Sequence, residues 1–208
     1  MKLKLLTPVV LLCAAISFKA HAQSRPDKLY SMSGIGFAFP VGETADYFKP
    51  KFSTTLGLNL ALGEGGLFLY PKVSLQAFSY NQITPDEGYT YTLQKGRATT
   101  YLLNVALGYR KIVNNWAFYG FAGAGGGIIL TPQAGVNNTT MQITQDNKSH
   151  GLGIVEGGGG IEYNIGGANL FVEASYMYGF SKIQNRAFNT VPISIGIKPN
   201  LSKLLSKL

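Results

Sequence analysis

Residues 53–63 read STTLGLNLALG, with Leu56, Leu58, Leu60 and Leu62 at every second position and Gly57, Asn59 and Ala61 between them. Successive side chains of a β-strand point to opposite faces, so a period of two gives this stretch one leucine face and one small, polar face. After GEGG (63–66) the chain alternates again through LFLYPKVSLQAFSY. Leu67, Leu69, Pro71, Val73 and Leu75 fall on one side, and Phe68, Tyr70, Lys72, Ser74 and Gln76 on the other. In a soluble barrel the bulky apolar face points inward and the charged face outward. Alternation alone is compatible with either sense.

Segments of this kind recur. Alternating or glycine-rich stretches lie at 31–40, 52–62, 67–80, 99–110, 116–130, 151–165, 169–180 and 190–198, which predicts eight strands. The stretches between them alternate in length: 41–51, GEGG, 81–98, KIVNN, 131–150, GGA and 181–189. Antiparallel strands joined in order place odd-numbered connections at one end and even-numbered ones at the other. One rim therefore carries three tight turns and the opposite rim four longer loops, the plan of a transmembrane β-barrel with short periplasmic turns and longer extracellular loops. An even number of strands leaves both termini on the tight-turn side.

The N-terminus is consistent with that destination. Lys2 and Lys4 precede an apolar run from Leu5 to Ile16, and Ala20-His21-Ala22 fits a small-residue cleavage site, so residues 1–22 read as a signal peptide cleaved after Ala22. The run is too short to span a bilayer as a helix, which needs about 20 apolar residues. The single cysteine, Cys13, lies inside this segment, so the mature chain forms no disulfide or thiolate metal site. A lipid-modified Cys13 is the alternative, and the bulk of Leu12 before it argues against that. Removing residues 1–22 takes away three lysines and no acid, which lowers the net charge from +8 to +5. No dense basic run with interleaved aromatics follows, so nucleic-acid binding has no footprint here.

The question of sense resolves in a bilayer. Hydrocarbon offers no partner for backbone N–H and C=O groups, so only helices and closed barrels cross it, and a closed barrel turns its apolar face to lipid. The leucines of β-segment 52–62 then point outward. So do Ile35, Phe37 and Phe39; Tyr101, Leu103, Val105, Leu107 and Tyr109; and Val191, Ile193, Ile195 and Ile197. Tyr109 and Tyr163 lie toward the tight turns and Tyr101, Tyr176 and Tyr178 toward the long loops, as interfacial girdles require. Pro71 has no N–H to give a closed ladder, which predicts a bulge at that position.

At this point GGGGIEYNI, LFVEASYMYGF and VPISIGIK resemble the last three strands of the outer-membrane β-barrel domain family of Gram-negative bacteria, the OmpA/OmpX type. The resemblance covers residues 31–198. It implies an all-β, eight-stranded antiparallel up-and-down transmembrane β-barrel, monomeric and resident in the outer membrane. Residues 23–30 form an N-terminal periplasmic segment and 199–208 a short C-terminal tail, whose Leu201, Leu204, Leu205 and Leu208 have the spacing of an amphipathic helix.

The inner face supplies the candidate site. Lys72, Arg110, Glu162, Glu173 and Lys198 share that face and are placed near the periplasmic rim by their distance from the tight turns. In a narrow lumen such charges pair, because a removed partner leaves a buried charge uncompensated. They read either as a structural plug or as a gated ion path. Eight strands leave an interior that side chains just fill, and Phe68, Tyr70 and Phe78 point into it.

Other chemistry finds little support. GAGGG (123–127) and GGGG (157–160) match neither dinucleotide nor P-loop spacing and read as strand glycines. Some eight-stranded outer-membrane barrels modify lipid A with a His and a Ser. Here His150, the only histidine outside the signal, follows Ser149 directly, and neighbours on a strand point to opposite faces. No cofactor or metal is expected.

The reading is a non-enzymatic envelope barrel with a plugged lumen. It acts structurally or through its four longer, polar loops, and its partners are outer-membrane lipid and envelope or cell-surface proteins. Alternatives are an accessory component of a secretion or transport complex, as PorT-like barrels suggest by resemblance, a small-solute porin, and a soluble exported lipocalin-like barrel with the opposite sense.

Overall fold

A lone sheet with one oily face has edges and nothing to bury that face against, and closure solves the first problem while lipid solves the second. The computed structural model describes residues 28–85, 91–137 and 142–202. Eight strands run in chain order: β1 Leu29–Pro40, β2 Phe48–Ala61, β3 Leu67–Tyr80, β4 Gly96–Val113, β5 Trp116–Asn137, β6 Gln142–Asn164, β7 Ala168–Ile183 and β8 Arg186–Pro199. Each pairs antiparallel with the next, and β1 with β8 closes the barrel. The signal peptide with its cleavage after Ala22, the start of the 23–30 segment and the tail beyond Ser202 lie outside the described residues.

The sense is the one a bilayer demands. Leu56 is 59% exposed and Leu103 58%, and Ile35, Phe37, Leu107, Val172, Phe180 and Ile195 share the same outward face. Tyr30, Phe68, Tyr70, Phe78 and Phe188 are buried inside. This is the reverse of a soluble lipocalin-like barrel, which rules that alternative out. The five girdle tyrosines are exposed, and Trp116 joins the tight-turn belt with its ring 4.8 Å from that of Tyr163.

Three expectations need correction. The strands continue further than hydropathy suggests: β5 and β6 stay paired from Trp116↔Tyr163 to Asn137↔Gln142, so 131–137 and 142–150 are strand extensions where a loop over 131–150 was expected. Likewise β7 and β8 meet at Gln184-Asn185, a two-residue turn with both φ positive (51° and 64°), where the 181–189 loop was expected. Third, Pro71 makes no bulge. Its pairing with Val105 is regular, and toward β2 the ladder lapses opposite Leu58 and Asn59 while Gly57↔Lys72 and Leu60↔Leu69 keep one register. The register shifts occur instead at Pro50/Phe52 and at Gly179/Lys182.

The tight-turn rim depends on left-handed residues. Asn114 has φ 55° in the two-residue link between β4 and β5, and Gly66 has φ 88° before β3. Left-handed backbone costs an ordinary L-residue about 1–2 kcal/mol, and Asn and Gly tolerate it. Asn114→Val should therefore lower the unfolding free energy by about 1–2 kcal/mol more than Asn114→Gly does. Urea titration of the refolded protein in vesicles measures both.

A candidate functional site in the barrel lumen

The inward positions of the eight strands build two layers. Toward the longer connections the lumen is apolar. A 3-10 turn over Gly42–Asp46 folds the first connection across the mouth, held where Thr44 Oγ1 donates to the Ala187 carbonyl (2.9 Å) and accepts from the Asn189 N–H (2.7 Å). Phe48 then drops into the barrel. Its ring lies 5.3 Å from Phe78, 5.3 Å from Tyr80 and 5.8 Å edge-on to Phe188. Leu102, Ile129, Leu152, Ile154 and Met177 complete this cap. Above it a small polar vestibule of about 120 Å³ is lined by Tyr80, Gln82, Thr131, Lys148, His150 and Gln184 among others.

Below the cap the lumen is ionic. Lys198 Nζ donates to Glu162 Oε1 at 2.8 Å, Arg110 lies 3.5 Å from the other oxygen of the same carboxylate, and Asn169 Nδ2 donates to it at 2.8 Å. Arg110 also donates to the Asn59 amide oxygen. A second station sits further from the tight turns: Lys72 Nζ is 2.6 Å from Glu156 Oε1 and 3.5 Å from Glu173. Ser175 (2.6 Å) and Asn104 donate to Glu156. Glu173 accepts from the Tyr119 hydroxyl at 2.7 Å and lies 3.2 Å from the Tyr70 hydroxyl, which ties the two stations together.

The rings between these charges do more than fill space. Lys198 Nζ is 4.0 Å from the Tyr119 centroid and 5.0 Å from Phe171, Lys72 Nζ is 4.6 Å from Phe121, and the Arg110 guanidinium is 5.2 Å from Tyr30. Ring faces are negative, so each cation gains an attraction that burial strengthens. Three cations meet three carboxylates, and all six residues are buried. Glycine makes the rings fit: a Cβ at Gly108 would run into the Phe68 ring and one at Gly160 into the Tyr119 hydroxyl.

All five residues expected on the inner face are there and in one network. The expectation that all five cluster near the tight-turn rim holds for Arg110, Glu162 and Lys198, whereas Lys72 and Glu173 belong to the inner station. Glu156 was missed, although it lies an even six residues before Glu162 and so shares its face. His150 and Ser149 stand on opposite faces of β6, paired with Ile129 and Leu130, so no dyad forms. The glycines of 123–127 and 157–160 are ladder residues of β5 and β6. Among the described residues no group of three His, Cys, Asp or Glu side chains is arranged to hold a metal ion.

A closed eight-stranded up-and-down barrel with an apolar exterior and a charge-paired lumen has the architecture of a transmembrane β-barrel. No family model matches the sequence, and no curated protein does. Solved structures with the same architecture include neisserial surface protein A, 11% identical with a TM-score of 0.57, covering 83% of this chain and 96% of that one. Ail of Yersinia pestis (19%, 0.46, 83% and 99%) and the N-terminal barrel of Pseudomonas aeruginosa OprF (11%, 0.38, 83% and 98%) are more distant in shape. The likeness to surface protein A is one of fold.

Proposed function

We propose that this chain is a non-conducting, non-enzymatic barrel of the outer membrane that serves as a scaffold, with its longer connections turned to the exterior for surface interaction. The observation that carries this reading is the double closure of the lumen. An ionic plug of three cations and three carboxylates lies under an apolar cap that the first connection seals. An ion crossing it would have to break buried pairs, each costly to leave uncompensated. The exterior then meets the vestibule, whose lining includes Lys148, His150, Gln82 and Gln184 beside Pro132 and Ile183.

Reconstitution in planar bilayers tests the closure. No stepped conductance is expected from the protein, and discrete openings would replace the scaffold reading with the porin one. A faster-migrating unboiled band on gels and protease clipping inside 131–150 on intact cells are expected from the barrel and its orientation. An unshifted band or protection of that segment would count against them.

A further inference from the structure

Toward the longer connections the β5–β6 hairpin outruns its neighbours on both sides. β4 accompanies β5 only as far as Thr99↔Leu130, and β7 joins β6 only from Gly179↔Ile154 onward. Each arm of the hairpin therefore carries one sheet edge. An open edge displays unpaired N–H and C=O groups, and native proteins usually blunt it. The β5 edge is blunted: Pro132 has no N–H to offer, and the Ala134 carbonyl accepts from the Tyr91 hydroxyl at 3.4 Å. On β6 neither device is present from Asp146 to Leu152.

The phase of the β6 hydrogen bonds fixes what that edge offers. The Asn164 N–H donates to the Asn115 carbonyl on the β5 side (2.8 Å), and the Ile165 N–H to the Ala168 carbonyl on the β7 side (2.9 Å). β6 keeps one register with β5 throughout, so its even-numbered residues turn their backbone groups to β5 and its odd-numbered ones to the β7 side. From 143 to 151 the odd-numbered residues thus face an edge that no strand covers among the described residues. The side chains of Asp146 and Lys148 are exposed, lie on the same face of β6, and form no ion pair among the described residues.

We propose that this edge pairs with the same edge of a second copy of the chain, antiparallel and two-fold symmetric about Asn147. In that register Asn147 meets its own equivalent, Asp146 meets the second copy's Lys148, and Lys148 meets the second copy's Asp146. Both charge pairs fall at non-hydrogen-bonded positions, where side chains stand closest and opposite charges attract. Charge complementarity therefore selects the occupant: an acid and a base flanking one central residue are complementary to themselves in this register, and a strand shifted by one residue loses both pairs. The two-fold axis is perpendicular to the strands, so the two barrels point at each other. Copies in one membrane point the same way and cannot make this contact, which instead joins copies on apposed membranes, or head to head in detergent. Its place between cells rests on the reading that the longer connections face the exterior.

Sedimentation of the refolded full chain in detergent tests the pairing, and a reversible monomer–dimer equilibrium is expected. Asp146→Lys and Lys148→Asp each turn both pairs into like-charge contacts and should each weaken association about tenfold or more, while an equal mixture of the two variants should recover it. In a Cys13→Ser background, Asn147→Cys should form a disulfide between copies on mild oxidation, its Cα atoms lying about 5.5 Å apart. Ser149→Cys should not, because its two equivalents stand four residues apart along the strands, about 14 Å. A chain that stays monomeric, charge variants that associate unchanged, a mixture that recovers nothing, or Ser149→Cys cross-linking as readily as Asn147→Cys overturns the proposal. The gel-mobility shift verifies that each variant is a folded barrel. Protease clipping on intact cells reports orientation independently, so a failed pairing and a failed exterior reading are told apart.

Discussion

Glu162→Gln is expected to lower the unfolding free energy by about 3–5 kcal/mol, the range for removing one partner of a buried ion pair. Glutamine keeps the shape and can still accept the Asn169 hydrogen bond, so the loss isolates charge. What remains is Lys198, 0% exposed, and Arg110, both without their common counter-ion. Glu162→Gln combined with Lys198→Met should recover a large part of the loss, because a paired absence is cheaper than a lone buried cation. The exposed pair is the internal comparison. Arg186 and Asp46 are 35% and 58% exposed at their side chains, and Arg186→Gln should cost no more than about 1 kcal/mol. Trp116 is the only tryptophan and faces outward near the tight turns, so its fluorescence follows urea unfolding from vesicles. A loss below 1 kcal/mol for Glu162→Gln would mean that the plug is hydrated and the closure argument fails.

How much of this was legible from residues alone follows from where period-two patterning carries information. Between the girdles one face meets lipid and the other the lumen, so Leu56 and Asn59 or Leu103 and Asn104 announce their sides. Past the rim both faces meet water, the contrast disappears, and Thr131 to Asn137 and Gln142 to Ser149 read as loop although their backbones stay in register. The same loss of contrast hid the continuation of β7 to Ile183. The plug was legible as a face but not as a height. Counting residues from the tight turns treats strands as upright, whereas barrel strands tilt by about 35–45°. Lys72 therefore meets Glu156, which lies several residues further along its own strand from a turn than Glu162 does. Pro71 was misjudged because a missing N–H can be absorbed by a local lapse in one ladder without an extra residue.

The outward sense itself makes the second large prediction. Val105 lies midway along β4 between Tyr101 and Tyr109, the two girdle positions, and is exposed. At a solvent-exposed strand position Val→Arg would change stability by only a few tenths of a kcal/mol. In lipid, arginine at the midplane costs about 2–4 kcal/mol and near an interface about 0–1 kcal/mol. Val105→Arg should therefore destabilise the vesicle-embedded barrel by about 2–4 kcal/mol, and Val113→Arg, equally exposed but at the tight-turn rim, by at most about 1 kcal/mol. The depth dependence is what separates causes. Loss of a valine side chain from the wall would act similarly at both positions, while desolvation of a guanidinium acts only where hydrocarbon surrounds it. Equal effects at Val105 and Val113 would remove the bilayer from the account of this fold and leave its exterior of leucine, isoleucine and phenylalanine unexplained.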